Sequence, residues 1–276
     1  MLRWRSMLFA PADNAGRCAK AARAGVDAVI LDLEDAVAPG AKPTARAALA
    51  GVVADVRAQG VAATVRINGA WMMAVEDLRA AVSAGADAIM VPKVECPHDL
   101  CVIAAMVAEL RGAALPLIAL IESPLGVARA QAIADVPCVA GLALGTEDFS
   151  LAMGVEPSPA VLDLPARQLA LAAAGRGLMA LALPFSIARF REEEAYRAIA
   201  GEAAAYGVNG AICIHPKQVA VANEVFGLSP AAREEAERIW AAWEEARAQG
   251  LSVVSLDGRM IDLPVAERAR KALARQ

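Results

Sequence analysis

The sequence predicts a single (β/α)8 barrel of the TIM-barrel class with a C-terminal helical extension. Three observations predict it. Eight short apolar runs of strand length alternate with longer Ala-rich stretches of helical character. The runs are apolar almost throughout, as parallel strands covered by helices must be. A degenerate repeat also appears: AGVDAVILD from Ala24, AGADAIMVP from Ala84 and YGVNGAICI from Tyr206. It separates Asp27 from Asp87 by 60 residues and Asp87 from Asn209 by 122, about one and two double-βα steps.

The eight expected strands are residues 6–10, 28–33, 63–67, 88–91, 116–121, 139–144, 178–183 and 210–214. In each repeat a glycine (Gly25, Gly85, Gly207) stands where a helix ends and the left-handed conformation is cheapest for Gly. After the eighth strand the pattern changes. Ser229-Pro230 supplies an N-cap and a first-turn proline for one long charged helix over 228–249. Residues 256–264, LDGRMIDLP, read as an irregular segment, and a final helix begins near Val265. The expected division is therefore a barrel over 1–227 and an extension over 228–276 that packs on the barrel or on a neighbouring subunit.

A chain of 276 residues suits one such barrel and buries a core without disulfides. Its apolar content is 58% with only 4% aromatic, so Ala, Val, Leu and Ile fill the interior. The net charge is −4 and no Lys/Arg block occurs, which argues against nucleic acid as a partner. Five cysteines without CxxC spacing point to reduced thiols in a cytoplasmic protein. The N-terminus is interrupted by Pro11 and Asp13 too soon for a signal h-region, and no run has the length of a membrane span.

In such a barrel the side chains at strand C-termini converge on one mouth. Those ends carry Asp32, Glu34 and Asp35, then Arg66 and Asn68, Lys93 and Glu95, Glu122, and Glu147 with Asp148. Glu122 and Asp148 fall at the ends of neighbouring strands and form a candidate site for a hard cation such as Mg2+. Strand alternation lets only one of Glu147 and Asp148 face the metal. Glu34 and Asp35 either hold metal-bound waters or pair with Lys42 and Arg46. Arg66 suits a substrate carboxylate, or else a structural ion pair. Lys93 is read as charge-balancing rather than as a Schiff-base lysine. His98 belongs to a surface turn, and His215 either reaches the mouth or is held structurally; two distant histidines make no zinc signature. No GxGxxG, Walker A or GxSxG motif is present.

The motifs RSMLFAPADNAGRCAKA, GVDAVILDLEDAVAPGAKPTAR, TVRIN, VPKVE, LIESPLGV, LGTEDF, IHPKQV and DGRMIDLP occur in this order. Together they closely resemble the citrate lyase β-subunit-like (CitE-like) CoA-thioester lyases of the HpcH/HpaI aldolase/citrate lyase superfamily, over essentially the whole chain. The resemblance implies Mg2+ ligands at Glu122 and Asp148, acids around the metal waters at Glu34 and Asp35, and a substrate clamp at Arg66. It implies that Asp262 is an acid/base delivered from the adjacent subunit of a trimer; read alone, Asp262 is also a good helix cap before Pro264. Arg17 and Lys20 are implied as contacts for CoA phosphates. The implied reaction cleaves a citramalyl-CoA- or malyl-CoA-type 3-hydroxyacyl-CoA to acetyl-CoA and a 2-oxo acid. A malyl-CoA-type thioesterase and a citrate lyase β subunit acting on a carrier-bound citryl thioester are the alternatives. Metal-dependent pyruvate aldolases of the superfamily carry Asp-Gly-Glu-His after strand two, whereas this chain has Asp32-Leu33-Glu34-Asp35. Two departures from the CitE-like pattern bear on the acyl pocket or CoA contacts: Ala211 stands where Lys is common, and ALALPFSIARF lacks an Asp often found there.

Overall fold

A computed structural model describes residues 2–274. The chain forms two compact units, Met1–Asn223 and Glu224–Gln276. In the first, strand and helix alternate as β1 (Ser6–Pro11), α1 (Ala15–Ala22), β2 (Ala28–Asp32), α2 (Lys42–Arg57), β3 (Ala62–Arg66), α3 (Trp71–Ala84), β4 (Ala88–Val91) and α4 (Pro97–Arg111). There follow β5 (Leu117–Ile121), two short helices α5 (Pro124–Ala128) and α6 (Ala130–Ala134), β6 (Val139–Leu144), α7 (Thr146–Met153), α8 (Pro159–Arg176), β7 (Met179–Leu181), α9 (Glu193–Ala205), β8 (Ala211–Cys213) and α10 (Pro216–Phe226), within which the division between the units falls.

All eight strands pair in parallel, in the order β7-β6-β5-β4-β3-β2-β1-β8. The seam between β7 and β8 is joined at Asn209: its backbone N–H donates to Ala180 O at 3.1 Å, and its side-chain Oδ1 accepts from Ala180 N at 3.0 Å. Inward-facing Met7, Ile30, Met90, Ile118, Leu120 and Leu181 fill the barrel. The strands are buried on both faces, which explains their unbroken apolar runs.

The repeat has a structural cause. Asp27 Oδ2 accepts from Arg5 N at 2.7 Å, Asp87 Oδ2 from Ala63 N at 2.9 Å, and Asn209 Oδ1 from Ala180 N at 3.0 Å. Each is an Asx residue just before an even-numbered strand, and each satisfies a backbone donor at the start of the preceding strand. The glycine of the repeat turns the chain out of the helix; Gly85, with φ 77°, caps α3 in the left-handed region.

The second unit comprises α11 (Pro230–Ala248), the hairpin β9 (Val254–Leu256) and β10 (Arg259–Ile261), and α12 (Leu263–Leu273). Ser229 Oγ accepts from Ala232 N and caps α11, as expected. The segment over 256–264 is not irregular. Asp257 (φ 49°) and Gly258 (φ 76°) form a two-residue turn, and positive φ at both positions is what a tight antiparallel hairpin needs. Ile239, Trp243, Ile261, Ala266 and Ala269 form a small core of this unit.

Candidate functional site

Asp32 ends β2 and Arg66 ends β3, directly opposite each other in the parallel ladder. Arg66 Nε donates to Asp32 Oδ1 at 2.7 Å and Nη2 to Oδ2 at 2.6 Å, a bidentate pair almost out of reach of solvent. The same carboxylate accepts from Glu34 N at 2.9 Å and Ala36 N at 3.0 Å, which folds the β2–α2 loop back over the strand end. Arg66 Nη1 makes longer ion pairs with Glu34 Oε2 (3.1 Å) and Asp35 Oδ2 (3.3 Å), and its guanidinium lies 4.9 Å from the Phe9 ring centre. Burial works against the Arg66 charge, but the hydrogen bond to Asp32 and the charges of Asp32, Glu34 and Asp35 outweigh it and raise the pKa. Sequence reasoning placed Asp32 at the mouth without a role; its position opposite Arg66 required the strand register.

Lys42 and Arg46 do not pair with the Glu34 or Asp35 carboxylates. Lys42 Nζ, buried, donates to Leu33 O (2.7 Å), Glu34 O (2.6 Å) and Asn68 Oδ1 (2.7 Å), so it fixes the loop backbone. Arg46 pairs with Glu76 and with buried Asp77, which also holds Asn68. Besides Arg66, Glu34 pairs with Lys93, whose Nζ reaches Glu34 Oε1 at 2.6 Å. Burial raises the Glu34 pKa against the opposing pull of Lys93 and Arg66. Lys93 loses some charge stability by burial, but Glu34 more than restores it and the ammonium is favoured, in keeping with a charge-balancing role.

Glu122 follows β5 and is 6% exposed. Its Oε2 accepts from the Lys93 backbone N–H at 2.7 Å; Lys93 adopts a positive φ of 53° at this point. Burial is the main cause that pushes the Glu122 carboxyl up to about 7; the Lys93 N–H opposes it, and the charges of Asp148 and Glu34 add to it. Gly145 makes the position possible. A Cβ there would stand 2.5 Å from Glu122 Cγ and 2.9 Å from Oε1.

Asp148 is not at a strand end. β6 stops at Leu144, and Glu147 and Asp148 occupy the first turn of α7, where the helix dipole favours acids. The strand-alternation argument therefore does not apply, and both side chains line the same cavity. Glu147 Oε1 accepts from Ser186 Oγ at 2.8 Å, whereas Asp148 has no hydrogen bond from the described residues.

These groups open into one cavity of about 360 Å3 at the C-terminal ends of the strands. Asp32, Asp35, Arg66, Glu122, Glu147 and Asp148 line it, together with apolar Phe9, Leu120, Leu144, Leu181, Leu183, Phe185, Ile212 and Ile214. The donor set fits Mg2+: two hard carboxylates, with Glu122 Oε1 unbonded among the described residues and no thiolate or imidazole beside them. Among the described residues no three His, Cys, Asp or Glu side chains form a self-sufficient metal cage. Waters and ligand oxygens would complete the shell, as is usual for Mg2+.

The remaining candidates are not among the residues that line the cavity. Arg17 and Lys20 are exposed on α1, which follows β1 at the same barrel end, and neither has an ion pair among the described residues. His98 is exposed in the first turn of α4. His215 stacks on Phe190 (4.7 Å) and its Nδ1 accepts from Lys217 N, a structural arrangement. Asp262 belongs to the second unit and caps α12 through Val265 N at 3.1 Å. Ala211 is buried but does not line the cavity; Ile212 and Ile214 of the same stretch do. All five cysteines are free thiols.

Residues 5–216 match the model of the HpcH/HpaI aldolase/citrate lyase family. The chain belongs to this family. It is thus a carbon–carbon lyase by family, on a barrel scaffold common to its members. A (3S)-malyl-CoA thioesterase of Cereibacter sphaeroides is 36% identical over 99% of this chain and 94% of its own length. An L-malyl-CoA/beta-methylmalyl-CoA lyase of Rhodobacter capsulatus is 34% identical over 94% of this chain and 90% of its own. The crystal structure of CitE from Mycobacterium tuberculosis, in complex with magnesium, acetoacetate and coenzyme A, superposes with a TM-score of 0.71 at 32% identity, covering 98% of this chain and 97% of the other. Magnesium is therefore a ligand within the HpcH/HpaI family. Among the described residues no helix is long and apolar enough to cross a membrane.

Proposed function

We propose that this protein is a Mg2+-dependent lyase that cleaves a citramalyl-CoA- or malyl-CoA-type 3-hydroxyacyl-CoA, reversibly, to acetyl-CoA and pyruvate or glyoxylate. The observation that carries the reading is the convergence of Glu122, Asp148 and Arg66 on one cavity: two carboxylates for a hard cation beside one guanidinium for a carboxylate. The bound cation supplies Lewis-acid stabilisation of the charge that develops as the hydroxyl becomes a carbonyl.

The chain's own residues supply placement and proton transfer. Two Arg66 nitrogens are committed to Asp32, which fixes the guanidinium plane. Nη1, held only by the longer contacts to Glu34 and Asp35, is the donor that receives the substrate carboxylate. Glu34 and Asp35 would hold water beside the bound cation. During cleavage the hydroxyl proton passes to a base and the C–C electron pair moves to the acetyl carbon. That carbon takes a proton to give acetyl-CoA, and Asp262 of a neighbouring subunit is its donor. Arg17 and Lys20 meet the CoA phosphates.

Delivery of Asp262 between subunits makes the active form a homo-oligomer, in our reading a cytoplasmic trimer in which the C-terminal extension packs on its neighbour. Support comes from exposed Leu251, Val253, Met260 and Leu263, apolar side chains that flank Asp262 in its unit. The test is incubation with citramalyl-CoA and malyl-CoA plus Mg2+. Acetyl-CoA with pyruvate or glyoxylate is the expected result. Free CoA with intact hydroxy acid would make the protein a thioesterase, the activity named for the Cereibacter relative. Silence on every CoA ester, with turnover of a carrier-bound citryl thioester, would make it a citrate lyase β subunit.

A further inference from the structure

We infer that the site selects acyl groups whose hydroxyl-bearing carbon carries an alkyl substituent, methyl or larger, over those carrying hydrogen or a carboxymethyl group. This deepens the lyase reading above and rests on it. The cavity is divided by the strand order. The charged residues follow β2, β3 and β5 or lie in the first turn of α7 after β6, strands that are consecutive around the barrel apart from β4, and Leu120 and Leu144 of β5 and β6 line the cavity beneath them. The arc β7-β8-β1 presents Leu181, Leu183, Phe185, Ile212, Ile214 and Phe9 instead. A hydroxy or oxo acid anchored by the carboxylates and Arg66 directs its remaining small substituent away from that charged arc, across the cavity and onto the apolar one. The CoA arm is far too large for about 360 Å3 and must leave through the mouth, so the enclosed space belongs to the small acid.

The apolar arc offers nothing to a second carboxylate. The Gln218 amide is fully used: its Oε1 accepts from Ile214 N (2.9 Å) and His215 N (3.1 Å), and its Nε2 donates to Ile187 O (3.1 Å). Tyr196 OH faces Cys213 Sγ at 3.7 Å, and Ser186 Oγ is given to Glu147. The Arg189 guanidinium lies 5.2 Å from the Phe185 ring centre, but it is paired with Glu192 and does not line the cavity. A carboxymethyl group there would be an unpaired buried charge. An alkyl group gains burial against Leu183, 7% exposed, and Phe185, 3% exposed.

The test is calorimetric titration of the protein with glyoxylate, pyruvate, 2-oxobutyrate, 2-oxo-3-methylbutyrate and oxaloacetate in the presence of Mg2+, followed by condensation with acetyl-CoA. We expect Kd to fall about fourfold per added carbon from glyoxylate to 2-oxobutyrate, with oxaloacetate about tenfold weaker than 2-oxobutyrate or worse. Leu183→Ala should shrink the ratio between glyoxylate and 2-oxobutyrate, and Leu183→Lys should shift preference toward oxaloacetate. Should either variant fail to fold, the wild-type series decides. Tightest binding of oxaloacetate or glyoxylate overturns the inference. Affinity independent of chain length also overturns it and assigns the apolar arc to the thioester arm. The expected order of affinities without condensation or cleavage would leave the arc assignment standing and sink the lyase reading. No binding of any 2-oxo acid would sink both.

Discussion

Asp32 and Arg66 are register partners in adjacent parallel strands, and their side chains close a bidentate ion pair at the floor of the mouth. The pair has no free lone pair to lend: the Asp32 carboxylate also holds two backbone donors of the following loop. Its function is to hold Arg66, and with it the loop that carries Glu34 and Asp35. Asp32→Asn should therefore strand a buried guanidinium and destabilise the fold by about 3 kcal/mol, measured by denaturant unfolding. Arg66→Lys keeps the charge and loses the fork; it should retain most of the fold but raise KM for the thioester. Unchanged KM would remove Arg66 as the carboxylate clamp.

Glu122 gives the metal-free protein a pH-dependent weakness. Its folded-state pKa, about 7, lies above the ordinary 4.5. Between these values the folded state binds more protons than the unfolded state, so stability falls as pH rises through that window and levels off above it. Glu34, also raised by burial, acts in the same direction. Unfolding of metal-free protein at pH 4.5, 6 and 8 should show a decline of about 3 kcal/mol at most. Glu122→Gln should flatten most of it. A profile that rises with pH over this window would contradict the assignment.

Gly145 tests the metal position without touching a carboxylate. Because a Cβ would overlap Glu122 Cγ, Gly145→Ala must displace the side chain. Lyase activity should drop about 100-fold, the usual result of moving a catalytic group by about 1 Å, while circular dichroism stays that of the wild type. Equal activity would mean that Glu122 tolerates relocation and is not a fixed ligand.

Asp262 has two roles that substitutions can separate. As the cap of α12 it is replaceable by Asn, which caps as well. As a proton donor it is not. Asp262→Asn should lower kcat by about 100-fold or more with little change in melting temperature, and Asp262→Ala should add a loss of about 1 kcal/mol in stability. Mixing Asp262→Asn with Arg66→Ala protein should restore activity if the site is built from two subunits. No recovery after dissociation and reassembly would place both residues on one chain's site.

The barrel was legible in the sequence because its strands are apolar on both faces and its glycines and Asx residues recur at double-βα spacing. Glu122, Arg66, Glu34 and Asp35 were legible as mouth residues because strand C-termini converge in this architecture. The rest depends on contacts between residues far apart in the chain. Lys93 bridges Glu34 and Glu122, one through its ammonium and the other through its backbone, across about 60 and 30 residues of chain. Asp148 reads as a strand end but sits on a helix, because β6 stops at Leu144, where the sequence predicts, and α7 begins only two residues later at Thr146. The 256–264 segment was misread although Asp257-Gly258 carried the hairpin signal; the strands on either side are only three residues long, too short for alternation to show.

The Asx bonds at Asp27, Asp87 and Asn209 sit where the strands begin, while every candidate catalytic group of the barrel sits where they finish. Assembly and chemistry therefore draw on opposite rims of the same strands. Loops on the catalytic rim can be exchanged between relatives without cutting the clasps that hold neighbouring strands in step, and a chimera that keeps those three side chains inherits the frame while taking its selectivity from the donor.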